Sequence, residues 1–419
     1  MPEPTRANSG LPPLDAAQRR RGRRLALTSH PAGMTHRNAY TEHLPTLVLI
    51  GLGAGETLVG LQRAFEPLCQ LLQLPTLRAV GRVRKRSILI AGQAAAVLAG
   101  LPLVAYGALA ASRGPGALVV ALASLAATSA GLVVSNTVWF PLLRGYVEPG
   151  RIGAFFGLLR SGWHLTLIAY FLGAQRWLET HPGSFGPLFA VASAAGLLRI
   201  GLLAGLPEAP APTGARIRAH DALTVLRGEA RLRRYLAGMI LFGAARRAAT
   251  PFAIVWMRRA MGLSDAEVVA TTVAFFAGGF ASLYAWGRAV DRMGPLPVFR
   301  ATAWGGAALL AALSAWGGGG SVLAMGGFFF ALAVLAAGFG VADTHVLFGI
   351  APEQEPVPTL VIADVATSLA YGAAPVLVGL ALDAAIGAGA APVVAYRVLF
   401  AAAALACALA PLPLRGFRV

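Results

Sequence analysis

The sequence predicts an all-α membrane protein that crosses the bilayer many times and is built from two bundles of helices. Of its 419 residues, 57% are hydrophobic and only 13% are charged, a composition that soluble domains of this size do not show. Apolar runs of about 20 residues, the length needed to cross the hydrocarbon core as a helix, recur along the chain. The longest polar connection between them, 207–231, falls near the middle. We therefore expect one bundle on each side of it.

About eleven segments are long and apolar enough to span a bilayer. Short stretches with Gly, Pro or charge separate them, as at Arg113-Gly-Pro-Gly116. The expected spans are approximately 56–79, 87–111, 117–140, 152–176, 185–206, 232–258, 265–290, 296–317, 321–349, 357–384 and 390–413.

These spans divide the chain into five expected regions. A basic disordered tail over 1–40 is followed by an N-terminal helical bundle over 41–206 and a cytoplasmic linker over 207–231. A C-terminal helical bundle over 232–414 and a short cytoplasmic tail over 415–419 complete the chain.

The residues before the first clear span do not supply a full membrane helix. The apolar run from Leu44 to Ala54 covers only about 16 Å as a helix, roughly half the hydrocarbon thickness. The residues before it are polar and include the basic run Arg19 to Arg24, so we expect residues 1 to about 38 to be disordered. The first helix is then truncated and starts no earlier than about Thr35, and we expect an upstream segment to encode its missing apolar half.

The distribution of basic residues predicts the orientation in the membrane. When the turn after the span 56–79 is placed inside, the inside loops carry about four times as many arginines as the outside loops, as the positive-inside rule requires. The net charge of +17 is thereby assigned to cytoplasmic loops, and nucleic acid is not expected as a partner. Only Lys85 is a lysine, and this bias with abundant Gly and Ala indicates a GC-rich bacterium. We expect a multi-pass protein of the bacterial inner (cytoplasmic) membrane.

The loop between the spans 265–290 and 296–317 carries a motif. It reads Gly287-Arg-Ala-Val-Asp291-Arg-Met-Gly294 and resembles the loop signature of the major facilitator superfamily of secondary transporters. The corresponding first-half loop, 78–86, keeps a basic cluster and Gly81 but has no Asp. Glu148-Pro149, Arg151 and Phe155-Phe156-Gly157 resemble a second loop that recurs in bacterial members.

This resemblance covers roughly residues 40–415 and implies two six-helix bundles around a central cavity that opens alternately to each side. It assigns control of the conformational equilibrium to the loops. Gly294 permits the turn, and Asp291 is expected to latch helices together in one state only. The conformational residues expected on this basis are Gly287, Arg288, Asp291, Arg292, Gly294 and Arg151.

Ionisable side chains at membrane depth are costly, so they indicate either a functional site or a pairing between helices. Arg246 and Arg247 lie near the middle of their span and would attract an anionic substrate, and a nearby Asp or His would exchange a proton. An equally weighted alternative is that one of these two arginines pairs with Asp364, while the other extends its guanidinium towards the membrane–water interface. The candidates for substrate binding or proton coupling are Arg246, Arg247, Asp343, His345, Asp364, His164, Arg63 and Glu66.

Two pairings are expected within this set of polar residues. Arg63 and Glu66 are three residues apart on one helical face, so they are expected to neutralise each other. Asp383 and Arg397 fall near the outer ends of consecutive spans and are expected to form a structural bridge outside.

The functional hypothesis is secondary active transport of an unidentified small molecule by alternating access. A proton-coupled permease or efflux transporter is expected, with substrate, protons and the lipid bilayer as partners and a monomeric state. No nucleotide-binding loop, zinc-protease helix or hydrolase elbow occurs in the sequence. We therefore expect no enzyme activity, catalytic residue, cofactor or metal. The alternative is a non-transporting protein of the same fold that delivers a pigment, a lipid or an assembly partner.

Overall fold

A computed structural model describes most of the chain, and all regular structure within the described ranges is helical. These ranges are 14–80, 83–112, 114–143, 145–147, 152–208, 229–316, 319–350 and 356–417.

The N-terminal half contains ten described helices. They are α1 (Ala16–Thr41), α2 (His43–Gly51), α3 (Glu56–Cys69), α4 (Gln73–Val80), α5 (Lys85–Val104), α6 (Tyr106–Ala111), α7 (Pro115–Thr137), α8 (Trp139–Leu143), α9 (Ile152–Thr180) and α10 (Gly186–Ala204).

The C-terminal half contains six longer helices in its described part. They are α11 (Ala230–Arg259), α12 (Asp265–Met293), α13 (Pro295–Ala315), α14 (Val322–Ile350), α15 (Pro356–Gly387) and α16 (Pro392–Leu409). Each span expected from the sequence coincides with one helix or with two consecutive helices, which confirms the helical membrane class. Within the described ranges, eight helices are long and apolar enough to cross a membrane by length and composition.

The two halves repeat the same packing arrangement. In the N-terminal half, α1 packs on α9 and α10, α10 on α5, α5 on α7, and α7 on α3. In the C-terminal half, α11 packs on α15 and α16, α16 on α13, α13 on α14, and α14 on α12. The order of packing partners is identical when the first-half helices α1, α3, α5, α7, α9 and α10 are matched to α11, α12, α13, α14, α15 and α16, in that order. The described helices therefore form two six-pass repeats.

The most extensive contacts between the halves come from two helix pairs, which are related by the same repeat. α3 packs along α15, and α9 packs along α12. The α3–α15 contact depends on glycine, because a Cβ at Gly60 would lie 2.1 Å from the carbonyl oxygen of Pro375 and one at Gly379 would lie 2.6 Å from that of Glu56. Small residues let helix backbones approach this closely in membranes.

The first pass differs from the sequence-based expectation. α1 begins at Ala16 with a capping box, in which the Asp15 carboxylate accepts from the Gln18 amide N–H at 2.7 Å and the Gln18 side chain accepts from the Asp15 amide at 3.0 Å. After an interruption at Glu42, the helix continues as α2 to Gly51. The expectation of a disordered tail up to about residue 38, with a truncated first helix, is wrong for residues 16–40.

Hydropathy misses α1 because the helix is polar in sequence, yet many of its polar side chains form hydrogen bonds inside the protein. Several hydroxyl and amide groups donate to backbone carbonyls one turn earlier, including Thr35 to Pro31 at 3.1 Å and Asn38 to Met34 at 2.7 Å. The helix then buries these residues against α9 and α10. Since a hydrogen-bonded polar group costs far less to bury than an unpaired one, this helix forms without an apolar sequence.

A buried polar network holds α1 to its neighbours. Arg199 of α10, only 3% exposed, donates to the Gln93 amide oxygen at 3.1 Å, and the Gln93 amide nitrogen lies 3.1 Å from Nδ1 of His36. Trp139 contacts side chains of both α10 and α1. The Arg199 guanidinium of α10 lies 5.2 Å from its ring centroid, and the His30 ring of α1 lies 5.6 Å from it. The network gives the buried guanidinium one acceptor and one aromatic face, and its Nε and Nη2 atoms have no hydrogen-bond partner among the described residues.

Charge distinguishes the two ends of the molecule. We call the end where α1 begins, α10 ends and α11 begins the basic end; there Arg86 donates to the carbonyl oxygen of Leu206 at 3.0 Å and Arg234 to that of Pro413 at 2.8 Å. We call the opposite end, where residues 52–55 and 260–264 connect helices, the distal end. The positive-inside rule predicts that the basic end is cytoplasmic.

Candidate functional site

A cavity of about 350 Å³ lies between the two halves. Its walls come from α1 and α3 of the first half and from α11, α14 and α15 of the second. Charged and aromatic side chains line it, namely Arg37, Glu66, Tyr235, Arg246, Arg247, Phe339, Asp343, Asp364 and Tyr371. We call this space the central cavity.

Arg246 and Arg247 occupy the middle of α11 and both line the central cavity. The Arg247 guanidinium lies 5.1 Å from the ring centroid of Tyr371, whose hydroxyl donates to the carbonyl oxygen of Met239 at 3.1 Å and so fixes the ring. The Nε atoms of both arginines are buried, and no described residue forms a hydrogen bond with either of them. Among the described residues, neither guanidinium forms an ion pair.

Arg37 of α1 also lines this cavity and forms an ion pair with Glu66 of α3. The two side chains are 29% and 24% exposed. Sequence analysis missed Arg37 because that part of the chain was assigned to a tail. The need of Glu66 for a cationic partner at membrane depth did not point to Arg37, because Arg63 on the same helix already met that need in the sequence.

Arg63 does not take the expected role. Its guanidinium donates to the carbonyl oxygen of Thr41, where α1 is interrupted, and it lies outside the lining of the central cavity. The expected neutralisation of Glu66 by Arg63 is therefore wrong, because Arg37 is the partner of Glu66. Arg63 instead satisfies the backbone at the break between α1 and α2.

Two carboxylates line the part of the cavity nearer the basic end. Asp343 accepts a hydrogen bond from the Tyr235 hydroxyl at 2.6 Å, and Asp364 lies 3.4 Å from the Gln73 amide nitrogen. Within the described ranges neither forms an ion pair. The alternative in which Asp364 pairs with Arg246 or Arg247 is not adopted in this arrangement. The cavity thus has guanidinium groups at mid-depth and carboxylates nearer the basic end.

The two candidate histidines lie in different environments. His345 is exposed on α14 and lies outside the lining of the central cavity, so the structure does not bring it to the other candidates. His164 is buried, with Nδ1 2.8 Å from the carbonyl oxygen of Arg160.

His164 lines a second pocket of about 340 Å³ between α9, α12 and α14. We call it the aromatic pocket, because Trp163, Phe275 and Phe276 line it beside His164. Ala336 and Gly340 of α14 line both this pocket and the central cavity. The two spaces are therefore separated along α14 by two very small residues.

The distal end is closed by charged groups from both halves. Arg259 of α11 forms an ion pair with Glu56 of α3, and the Tyr396 hydroxyl donates to the same carboxylate. Asp383 of α15 accepts from the amide N–H groups of Glu56 at 3.1 Å and Thr57 at 2.9 Å. We call Glu56, Arg259, Asp383 and Tyr396 the distal latch.

The distal latch replaces the expected bridge between Asp383 and Arg397. Arg397 instead donates from Nε to the carbonyl oxygen of Trp316 at 3.2 Å. Asp383 is thus a link between the halves, whereas the sequence suggested a bridge within the second half.

This architecture has counterparts of known structure. The nucleoside transporter NupG superposes with a TM-score of 0.70 at 11% identity, covering 95% of this chain and 99% of that one. A POT family transporter in complex with 5-aminolevulinic acid gives 0.71 at 11%, covering 95% and 96%. A bacterial homolog of the human lysosomal transporter Spinster gives 0.61 at 13%, covering 96% of both chains.

This chain has the major facilitator superfamily fold. The fold inferred from the loop motif is thereby confirmed. No protein-family model and no curated protein matches the sequence. At 11 to 13% identity the structural likeness establishes the fold alone.

The loop motif of the major facilitator fold lies at the basic end. Gly287, Arg288, Asp291 and Arg292 occupy the last turns of α12, and Gly294 ends the helix at φ +79°, a value that favours glycine. Asp291 is exposed and forms no ion pair with a described residue. Arg151 lies outside the described residues, as does the motif at 148–149.

The Arg37–Glu66 pair gives a test of how the cavity is held. Glu66→Gln is expected to lower the free energy of unfolding by about 1–3 kcal/mol, because it leaves a guanidinium unpaired near other arginines. The double variant Arg37→Gln, Glu66→Gln is expected to lose less free energy of unfolding than the two single variants lose together. Thermal unfolding of the wild type, both single variants and the double variant measures this coupling. Strictly additive losses of free energy would contradict the pairing.

Proposed function

We propose that this protein is a secondary active transporter that moves a small molecule across the bacterial inner membrane by alternating access, coupled to protons. The observation that supports this most is a charged cavity at the interface of two pseudo-symmetric bundles, with the distal end closed. Ionisable residues at the midplane between repeats are typical of substrate and ion sites in secondary transporters. The major facilitator fold is consistent with this function.

Alternating access requires the halves to separate at one end while they approach at the other. In the present arrangement the distal latch ties α3 to α11, α15 and α16. The carboxylates of the cavity lie nearer the basic end, so we infer that a solute enters or leaves there in this state. Opening the distal end requires the hydrogen bonds and ion pair of Glu56 to break.

Asp343 and Asp364 are our candidates for proton coupling. Each is a carboxylate at the cavity without a cationic partner among the described residues. Protonation removes a charge that is costly at membrane depth and so favours a state in which the group is more enclosed. Tyr235 donates to Asp343, which would orient that carboxylate while it gains or loses the proton.

Proteoliposomes with an imposed pH gradient test the proposed function. We expect flux of a solute that accelerates with the gradient, and we expect Asp364→Asn to reduce this acceleration more than the flux without a gradient. The matched control is Glu179→Gln, since Glu179 is exposed at the distal end and its partners among the described residues are Arg176 and Gln175 of its own helix. Absence of flux across a broad solute panel, with a protein partner that copurifies, would contradict transport and favour a delivery protein.

The loop carboxylate gives a second test. Asp291 is exposed and forms no ion pair with a residue that the structure describes in this distal-closed arrangement, as expected for a group that pairs only when the basic end closes. Asp291→Asn is therefore expected to change the transport rate more than the binding affinity, because a latch affects the conformational step. Initial rates and equilibrium binding in the same preparation measure both, and an unchanged rate at normal expression would contradict the assignment.

The distal latch gives a third test. Glu56→Gln removes a charge-assisted interaction of about 1.5–3 kcal/mol, so the population open at the distal end is expected to rise roughly tenfold or more. Spin labels at Ser112→Cys and Ala388→Cys, placed after Cys69 and Cys407 are changed to Ser, report the separation of the halves. We expect a longer-distance population with Glu56→Gln and none with Glu179→Gln. Identical distance distributions would show that Glu56 does not hold the halves.

A further inference from the structure

The charges that line the central cavity are equal in number, but they are not all paired. Three guanidinium groups and three carboxylates line it, namely Arg37, Arg246, Arg247, Glu66, Asp343 and Asp364. Arg37 is paired with Glu66, whereas the two aspartates lie nearer the basic end and form no ion pair with a described residue. Within the described part of the chain, Arg246 and Arg247 are therefore the cations of the cavity that lack a carboxylate partner.

The two unpaired cations of the cavity are neighbours on one helix. Arg246 and Arg247 are adjacent in sequence, and each carries a buried Nε that has no hydrogen-bond partner among the described residues. Two adjacent like charges inside a membrane protein repel each other and lose hydration, which makes an unneutralised pair costly. An anionic ligand group would offset this cost, and the planar guanidinium is suited to carboxylate or phosphate oxygens.

The space beside the arginine pair has a different chemistry. The aromatic pocket adjoins the central cavity at Ala336 and Gly340 and presents Trp163, Phe275 and Phe276. A ring or another apolar group gains free energy there by leaving water and by contacting aromatic faces and edges. The fixed Tyr371 ring, already against Arg247, adds a further flat surface at the boundary of the charged region.

We propose that the substrate is an amphipathic organic anion. Its anionic oxygens bind Arg246 and Arg247, and its apolar part occupies the aromatic pocket between α9, α12 and α14. This inference rests on the proposed function, in that it takes the central cavity as the transport site. It separates the roles of the cavity's charges, with the arginines binding substrate and Asp343 and Asp364 exchanging protons.

Ligand-dependent thermal unfolding of the purified full chain tests this inference, because a ligand that binds the folded state raises the unfolding temperature. The probes are benzoate, acetate, benzamide and benzylamine at matched ionic strength. We expect benzoate to bind at least about tenfold more tightly than acetate, which lacks the ring, and than benzamide, which lacks the charge. Benzylamine is expected to give no stabilisation.

Variants assign the two parts of the ligand to the two parts of the site. Arg247→Gln is expected to weaken benzoate binding about tenfold or more, while Arg247→Lys keeps the charge and retains part of the response. Arg20→Gln is the matched control, since Arg20 is exposed at the start of α1. Phe275→Ala is expected to shrink the advantage of benzoate over acetate, whereas Phe330→Ala, outside both pockets and 39% exposed, should leave it unchanged.

The outcomes separate this inference from the proposed function. Equal stabilisation by benzoate and benzamide, or none by either, overturns the anionic substrate even if another solute is transported. Equal binding of benzoate and acetate, unaffected by Phe275→Ala, overturns the aromatic part. Anion-selective binding that depends on Arg247, without flux of benzoate or of any solute in a broad panel in proteoliposomes, supports the site assignment and contradicts the proposed transport.

Discussion

Burying arginine inside a membrane-spanning bundle is the constraint on which much of this structure depends. A guanidinium cannot lose its proton to escape the cost of desolvation, so each buried one requires acceptors or an aromatic face. Arg37 has Glu66, Arg199 has Gln93 and Trp139, and Arg259 has Glu56. These contacts join helices that are far apart in sequence, and they include the links that close the distal end. Arg246 and Arg247 differ from these in that they line the central cavity and form no ion pair with a described residue, although Asp343 and Asp364 line the same space.

The two repeats share packing but not chemistry. α1 and α11 hold equivalent positions, and each brings a central arginine to the cavity. On the first side Glu66 neutralises Arg37, while on the second side Tyr371 contacts Arg247. The fold therefore supplies a symmetric frame, and the asymmetry of charge lies in a few side chains. Such a division is expected when the frame provides the movement and the side chains provide selectivity.

Much of the fold follows from the sequence, because a membrane helix must satisfy its own backbone and so requires a long apolar run. That rule located the passes from α3 to α16, and counting residues along α11 put Arg246 and Arg247 at mid-depth. It failed for α1, where the burial of polar groups depends on partners such as Gln93 and Arg199 that no local window contains. The partner of Glu66 was missed for the same reason.

The depth of a residue along its helix was also not enough to identify the site residues, because His345 lies outside the lining of the central cavity. Asp343 and His345 lie at similar depth on α14, yet two residues turn a helix by about 200°, so they point in nearly opposite directions. The sequence gives the depth of each residue, but the face that meets the cavity depends on how α14 packs. The aromatic pocket was likewise not foreseen, since Trp163, Phe275 and Phe276 come from helices on different halves and meet only in the folded protein.

The hydrogen bonds of Asp383 have a consequence for the first turn of α3. A helix leaves its initial amide groups without internal partners, and at α3 a carboxylate from the other half accepts two of them. Separation of the halves at the distal end therefore also removes the cap from this helix and exposes its amide groups to water. Movement of the two bundles is in this way coupled to the hydration and fraying of the first turn of α3. Hydrogen exchange at the amides of this turn would therefore report a rearrangement of the whole molecule.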